Sequence, residues 1–417
     1  MNKNKNLDKK NWKLINFSEI DKYATTSYCA IHNIDEELNL GDITGIEETR
    51  MKDFDLITYG FPCQDISLSG KQKGFTDKEG NKTRSGLFFD ALRIIEEKKP
   101  KIAIAENVKN LTSKKFQKEF DIVLTSLNEA GYNNYWKVLN AKDFGIPQNR
   151  ERVFIVSIRK DIDNGMFEFP NGFELKLRLK DMLEDEVDEK YYLSDEMINK
   201  LVIKESFGDV KEIGYIKKSE NGKKHQSNIV YDPDLISRTL QASDYKCPLL
   251  IKEKTKQGYK EAYEGDGVYI NRPHQKRGVV QHGMIQTLKT SGNDVGVVVS
   301  EPSNDLATKT KENQSLKIRK LSTLEYWRLM GFSDDQFSKA KKSLNDKHYK
   351  GKDKSNSQLY KQAGNSIVVD VLFYIFIELY KTMPQVFNDL KVTSLFSGVG
   401  AFEVALDRLY KLLNQMN

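Results

Sequence analysis

Short apolar runs and amphipathic stretches alternate over residues 11 to about 160. WKLINF, DLITYGF, KIAIAEN and RVFIVSI are apolar blocks of strand length, whereas SGLFFDALRIIEEKK and FQKEFDIVLTSLNEAG carry their apolar residues at helical spacing. Strands of this kind separated by helices predict a mostly parallel sheet covered on both faces. Between about 165 and 317 the pattern breaks into short β-like pieces with Gly, Asn, Lys and Asp between them, which predicts a second domain of different make. From IRKLSTLEYWRLMGF onward the chain returns to helix, loop and helix. It then closes with a strand, a glycine turn and a helix in KVTSLFSGVGAFEVALDRL, residues 391–409. The expected organisation is therefore an α/β domain in two parts, 1–164 and 318–417, around a smaller irregular, β-rich domain, 165–317.

Composition narrows this only a little. A chain of 417 residues has room for two or three domains. With 38% hydrophobic and 30% charged residues it is expected to be globular. The longest apolar run, Val368 to Leu379, is cut by acids and falls short of the roughly 18 residues a membrane span needs. The opening MNKNKNLDKKNW lacks the apolar segment of a signal peptide. A cytoplasmic protein with no membrane partner is expected. Cys29, Cys63 and Cys247 are too far apart for a paired ligand spacing, and no metal is expected. The net charge of +6 permits a polyanionic partner without requiring one.

Three stretches carry candidate chemistry. GFPCQDISLSGKQKGF, Gly60 to Phe75, follows the run DLITY and puts Pro62-Cys63-Gln64 at the end of a buried strand, where open α/β sheets place their ligands. Cys63 is either a nucleophilic thiol or a core cysteine beside a turn proline. KIAIAENVKNL ends in Glu106-Asn107, a carboxylate that either caps the next helix or, partly desolvated in the same crevice, donates a proton to a ring nitrogen. IPQNRERVFIVSI sets Arg150 and Arg152 on one face at the start of a strand, an arrangement whose reach to the strand ends is not obvious.

The ordered set PCQ, ENV, QNRERV, an irregular domain, RKLSTLEYWRLMGF and QAGNSIVVDV strongly resembles the DNA cytosine-5 methyltransferase family. The resemblance spans nearly the whole chain except about 165–317. It implies a doubly wound, Rossmann-like S-adenosylmethionine-dependent methyltransferase domain with a target-recognition domain, acting on duplex DNA. It further implies that Cys63 adds to carbon 6 of a flipped-out cytosine and that Glu106 protonates ring nitrogen 3. Arg152 would hold the cytosine oxygen, with Arg150 nearby and Pro62, Gln64 and Asn107 completing the motifs. Ser67, Ser69, Lys71, Gln72 and Lys73 lie in SLSGKQKGF, similar to the family's closing loop over DNA.

Family members ordinarily begin with Phe-x-Gly-x-Gly, the turn that receives the methionine part of the cofactor. Here the match is LFSGVGAFE, with Phe396, Gly398 and Gly400, near the other end. A lone Gly-x-Gly is weak, but its strand and helix flanks strengthen it. Glu19, after WKLINF, resembles the carboxylate that takes the ribose hydroxyls, with Ile20 beside it for adenine. Asp42 and Ile43 in GDIT resemble the adenine-side acid, and Asn365 and Ser366 resemble the late motif closing over the cofactor. The order would then be that of a circularly permuted methyltransferase opened between the first helix and the second strand, as near-adjacent termini and exposed loops allow.

Within the middle region, Thr287-Leu288 best matches the family's Thr-Leu element, with Thr239-Leu240 as a rival, and Arg238, Arg272, Arg277 and Lys289 are candidate DNA contacts. The same chemistry on RNA, a silent DNA-binding relic and a dinucleotide oxidoreductase are alternatives. The last leaves PCQ and QNRERV unexplained. A monomer is expected, with a cognate restriction endonuclease on the same site as a possible partner.

Overall fold

The computed structural model describes residues 11–63, 65–66, 74–75, 83–202, 249–272, 275–300 and 316–416, and the backbone of two short strands, Glu212–Tyr215 and Ile229–Tyr231. The chain divides into two compact units, one made of Met1–Leu177 with Tyr326–Asn417 and one of Arg178–Glu325.

The first unit is built on a six-stranded sheet. Its strands are β1 (Trp12–Ser18), β2 (Leu56–Tyr59), β3 (Ile102–Val108), β4 (Tyr132–Asn140), β5 (Glu151–Arg159) and β6 (Leu390–Leu395). Their order across the sheet is β1, β6, β2, β3, β5, β4. The strand nearest the C-terminus thus lies between two strands from the first sixty residues, parallel to both. β5 is antiparallel to β3 and β4, so the sheet is mostly parallel with one reversed strand. Four of the six strands match the apolar blocks WKLINF, DLITYGF, KIAIAEN and RVFIVSI, and β6 is the strand read in KVTSLF. β4 (YNNYWKVLN) carries no such block because it is an edge strand, and Trp136 on it is 46% exposed.

Helices cover the sheet: α1 (Lys22–His32), α2 (Phe88–Lys98), α3 (Gln117–Glu129), α4 (Asp334–Tyr349), α5 (Asn356–Asn365), α6 (Val369–Thr382) and α7 (Ala401–Met416). Each starts and stops for a local reason. Asp21 accepts from the Tyr23 and Ala24 N–H groups to begin α1, and Asn33 in the left-handed region ends it. Ser333 and Gln336 form a reciprocal box at the start of α4. By length and composition Asn356–Thr382 could cross a membrane, with mean hydropathy 1.5. It is broken between α5 and α6, and Val369, Leu372, Ile375, Phe376 and Leu379 are buried in the unit's core. Beneath the turn after β2, Phe61, Phe75 and Phe88 stack together in a larger cluster with Ile57, Ala105 and Val153. That cluster fixes where the Pro62-Cys63 turn leaves the sheet.

The second unit contains a four-stranded antiparallel sheet of Val280–Gln281, Gly267–Tyr269, Val295–Ser300 and Leu316–Lys320, in that order, and a separate ribbon of Leu249–Lys252 with Tyr259–Ala262. Its core includes Leu193, Ile251, Ala262, Val268, Val298 and Ile318. A buried bidentate pair joins Arg319 to Glu325, at 2.9 and 2.7 Å. Truncating either partner would leave the other charged group buried and unpaired.

Candidate active site

Strand register alone assembles one edge. The pairs Ser18 with Leu395, Leu395 with Tyr59 and Tyr59 with Ala105 bring the C-terminal ends of β1, β6, β2 and β3 into a row. Glu19, Phe396, Gly60 and Glu106, the residues that follow, therefore stand along that edge. Because β5 runs the other way, its beginning reaches the same edge: Glu106 pairs with Phe154 and Val108 with Arg152. Arg152 thus lies diagonally across from Glu106 on one face. This reversal accounts for arginines at the start of a strand meeting a carboxylate at the end of another.

Arg152 Nε sits 3.0 Å from Glu106 Oε1, with the two side chains 16% and 12% exposed. Burial pushes the Glu106 carboxyl above its ordinary range, while Arg152 and Arg150 pull it partly back. Cys63 is half-buried, and burial, then the charge of Glu106, push its thiol up against the opposing pull of the two guanidinium groups. Arg150 is 3% exposed and donates to the carbonyls of Gly364 at 3.0 Å and Ser366 at 2.7 Å. Burial, then the repulsion of Arg152, draw its guanidinium down to about 9. Asn107 is buried and donates to the Phe61 carbonyl at 3.0 Å, tying the end of β3 to the turn that carries Pro62 and Cys63. The Ile66 N–H donates to the Cys63 carbonyl, closing that turn. A side chain at Gly60 would meet Glu106 Oε2 and Ile367, each at 3.6 Å, so the α5–α6 turn presses on the same strand end.

The glycine turn after β6 has positive φ at Phe396, Gly398 and Gly400, 52°, 57° and 83°. At Gly400 the requirement is steric as well, since a methyl group there would overlap the His32 imidazole and crowd the Tyr28 ring. Gly398 faces open space, and its N–H donates to Glu19 Oε2 at 2.9 Å while the Asp21 N–H donates to Oε1 at 2.8 Å. Burial pushes the Glu19 carboxyl up, with these two donors opposing. Ile20 is 74% exposed, an unusual state for a large aliphatic side chain. Asp42 is exposed and accepts from the N–H and hydroxyl of Thr44, which holds its carboxyl down. The Ile43 side chain instead packs in the core, and its carbonyl accepts from Arg93. Asn365 is exposed at the end of α5 and Ser366 is nearly buried.

Cys63, Glu106, Arg152, Arg150, Asn107 and Pro62 are brought together, and Glu19, Ile20, Phe396 and Gly398 form a second group further along the row. Thr287 and Leu288 belong to the second unit, with Leu288 buried. Gln64, Ser67, Ser69, Lys71, Gln72 and Lys73, like Arg238, Thr239 and Leu240, lie outside the described residues. One contributor gave no signal in the sequence: Asn39 bonds both the N–H and the carbonyl of Glu19 and the N–H of Gly41, fixing the backbone beneath the carboxylate. An isolated Asn in a loop has no pattern that announces such a role.

The model of the C-5 cytosine-specific DNA methylase family matches residues 2–381. The orphan methyltransferase M.SPRI of Bacillus phage SPR is 33% identical over 425 residues, spanning 89% of this chain and 92% of its own. The type II methyltransferase M.HhaI of Haemophilus parahaemolyticus is 33% identical over 363 residues, spanning 86% and 84%. The structure of the Entamoeba histolytica methyltransferase EhMeth shares the fold with a TM-score of 0.52 at 16% identity, covering 88% of this chain and 91% of that one. A family match over most of the chain, with relatives a third identical along nearly their whole lengths, shows that the protein belongs to the C-5 cytosine-specific DNA methylases and is a DNA (cytosine-5-)-methyltransferase.

Proposed function

We propose that the reaction runs at the strand-end row, with Cys63 as nucleophile, Glu106 as acid and Arg152 as the clamp on the base. The observation that carries this is the contiguity of thiol, carboxyl and guanidinium at one edge, with burial raising both the thiol and the acid. Carbon 5 of cytosine is a poor nucleophile until a thiolate adds to carbon 6. In that step the Cys63 sulfur forms the bond to carbon 6 and Glu106 delivers a proton to nitrogen 3, leaving an enamine. Before it, Cys63 and Glu106 act as a coupled pair, and the proton lost by the thiol equals the one gained by the ring. After methylation, carbon 5 gives up its proton and the Cys63–carbon 6 bond breaks, restoring the aromatic ring. The target base must leave the duplex stack for this, at a cost of a few kcal/mol. Arg150 is a positioning residue in this scheme, linking β5 to the carbonyls of the α5–α6 turn.

The residues of the second group fit S-adenosylmethionine: Gly398 leaves open space beside a fixed carboxylate, and Ile20 offers an uncovered apolar face. When bound, the cofactor supplies the methyl group that carbon 5 accepts. Glu19 would hold the ribose hydroxyls, Ile20 the adenine face and Asp42 the adenine amino group, with Ile43 contributing through its backbone. The turn at Phe396, Gly398 and Gly400 would receive the methionine part, and Asn365 and Ser366 would close over it. This reading makes the chain circularly permuted. Its support is the position of β6 between β1 and β2, together with a family match that stops at residue 381, before β6. Removal of residues 391–417 is expected to abolish cofactor binding in calorimetry, and unchanged binding by the shortened, folded chain would overturn the permutation.

The unit Arg178–Glu325 is the proposed target-recognition domain, with Thr287-Leu288 as its Thr-Leu element. The relatives' names, orphan and type II, support a role in marking DNA, and a cognate endonuclease goes with the second. The experiment is methylation sequencing of plasmid DNA from a methylation-free host expressing the chain. Marks on carbon 5 of cytosine within one short duplex sequence are expected. Marks confined to RNA would overturn the assignment of duplex DNA as substrate.

A further inference from the structure

Glu403 is 1% exposed in the first turn of α7, three residues beyond Gly400. Neither carboxylate oxygen has a hydrogen-bond partner within ordinary distance, nor has the hydroxyl of Tyr28, its buried neighbour on α1. Ser394, at the end of β6, is its other polar neighbour and already accepts from Thr58. No cation among the described residues pairs with it. Arg408, further along α7, is taken by Asp370 of α6 and by the Gly331 carbonyl. His32, from α1, lies under Gly400 and is held neutral by burial, at about 4. Asp407 is the nearby acid and accepts from Trp12 of β1 at 2.9 Å. A buried carboxyl without a partner costs stability when ionised, so its retention directly under the glycine turn calls for a cation that arrives from outside.

We propose that Glu403 selects the cationic sulfonium cofactor over its neutral thioether product, by ionising beneath the glycine turn when the positive charge binds. This rests on the reading that the turn holds S-adenosylmethionine. In a site of low dielectric a carboxylate attracts a nearby sulfonium far more than it would in water and gives the uncharged product no such advantage. Burial pushes the Glu403 carboxyl up to about 7 in the free protein. The stability supplied by its neutral form is complete below the ordinary carboxylate range and is lost as pH rises through about 7. Binding of the sulfonium then expels the proton near neutrality, whereas binding of the thioether does not.

The test is titration calorimetry of the full chain with S-adenosylmethionine and with S-adenosylhomocysteine, at several pH values and in buffers of different ionisation enthalpy. For the wild type, proton release is expected with the first ligand alone, and its affinity should weaken as pH falls, approaching about tenfold per pH unit well below the carboxyl's pKa. In Glu403→Gln the ratio of the two affinities should become independent of pH. Equal proton release for both ligands in the wild type, or an unchanged pH dependence in a folded Glu403→Gln, would overturn the proposal. Glu19→Ala separates the two readings, since it should weaken both ligands alike. If it weakens both while Glu403→Gln changes nothing, only the selection by Glu403 falls. If Glu19→Ala leaves both unchanged, the cofactor assignment falls and takes this inference with it.

Discussion

Cys63→Ala is expected to reduce methyl transfer to background while leaving the affinity for S-adenosylmethionine intact, as measured by transfer of labelled methyl groups alongside calorimetry. The separation follows from the layout of the edge. Cys63 follows β2, whereas Glu19 and the glycine turn follow β1 and β6 further along the row. The side chain is half-buried, so its removal opens no large core cavity, and a loss of activity would reflect chemistry more than folding. A mutant that retains measurable turnover would require another nucleophile, and Cys29 on α1, whose thiol is also pushed up by burial, is no member of the row.

Glu106→Gln is expected to lower kcat by about 10²- to 10⁴-fold, the usual contribution of a positioned general acid. It should also change the pH profile in a defined direction. Burial raises the Glu106 carboxyl, so its proton persists to higher pH than on an ordinary carboxylate. In the wild type, activity should be lost on the alkaline side through the raised Cys63 thiol and on the acid side through Glu106, because the pair must carry one proton in total. The acid limb should disappear in Glu106→Gln. Persistence of that limb would assign it to a different group. The glutamine can still accept from Arg152, so the 3.0 Å contact that positions the guanidinium is not simply deleted.

Much of the α/β unit was legible because its strands are buried on both faces and write themselves as continuous apolar blocks. β4 was not, since an edge strand needs only partial burial, and YNNYWKVLN carries its apolar residues without a run. The chemistry of Pro62-Cys63 and Glu106 was visible at strand ends, where the register of β2 and β3 then aligns them. The reach of Arg152 was not, because nothing in RVFIVSI says that β5 runs against its neighbour. Ile43 illustrates a limit of motif matching: its neighbour Asp42 is exposed, but its own side chain is needed by the core. Glu403 was hidden for a different reason. A glutamate in the first turn of a helix is ordinary text, and only the enclosing Tyr28, Ser394 and glycine turn make it unusual.

The most direct measurement is mass spectrometry of the protein trapped on duplex DNA that carries 5-fluorocytosine at the methylated position, in the presence of S-adenosylmethionine. Fluorine in place of the carbon 5 proton blocks the elimination that frees the enzyme, so the covalent adduct should accumulate. The account predicts a single modified peptide containing Cys63, dependent on the cofactor and absent from Cys63→Ala. An adduct on any other residue, or an equal adduct in the mutant, would contradict it.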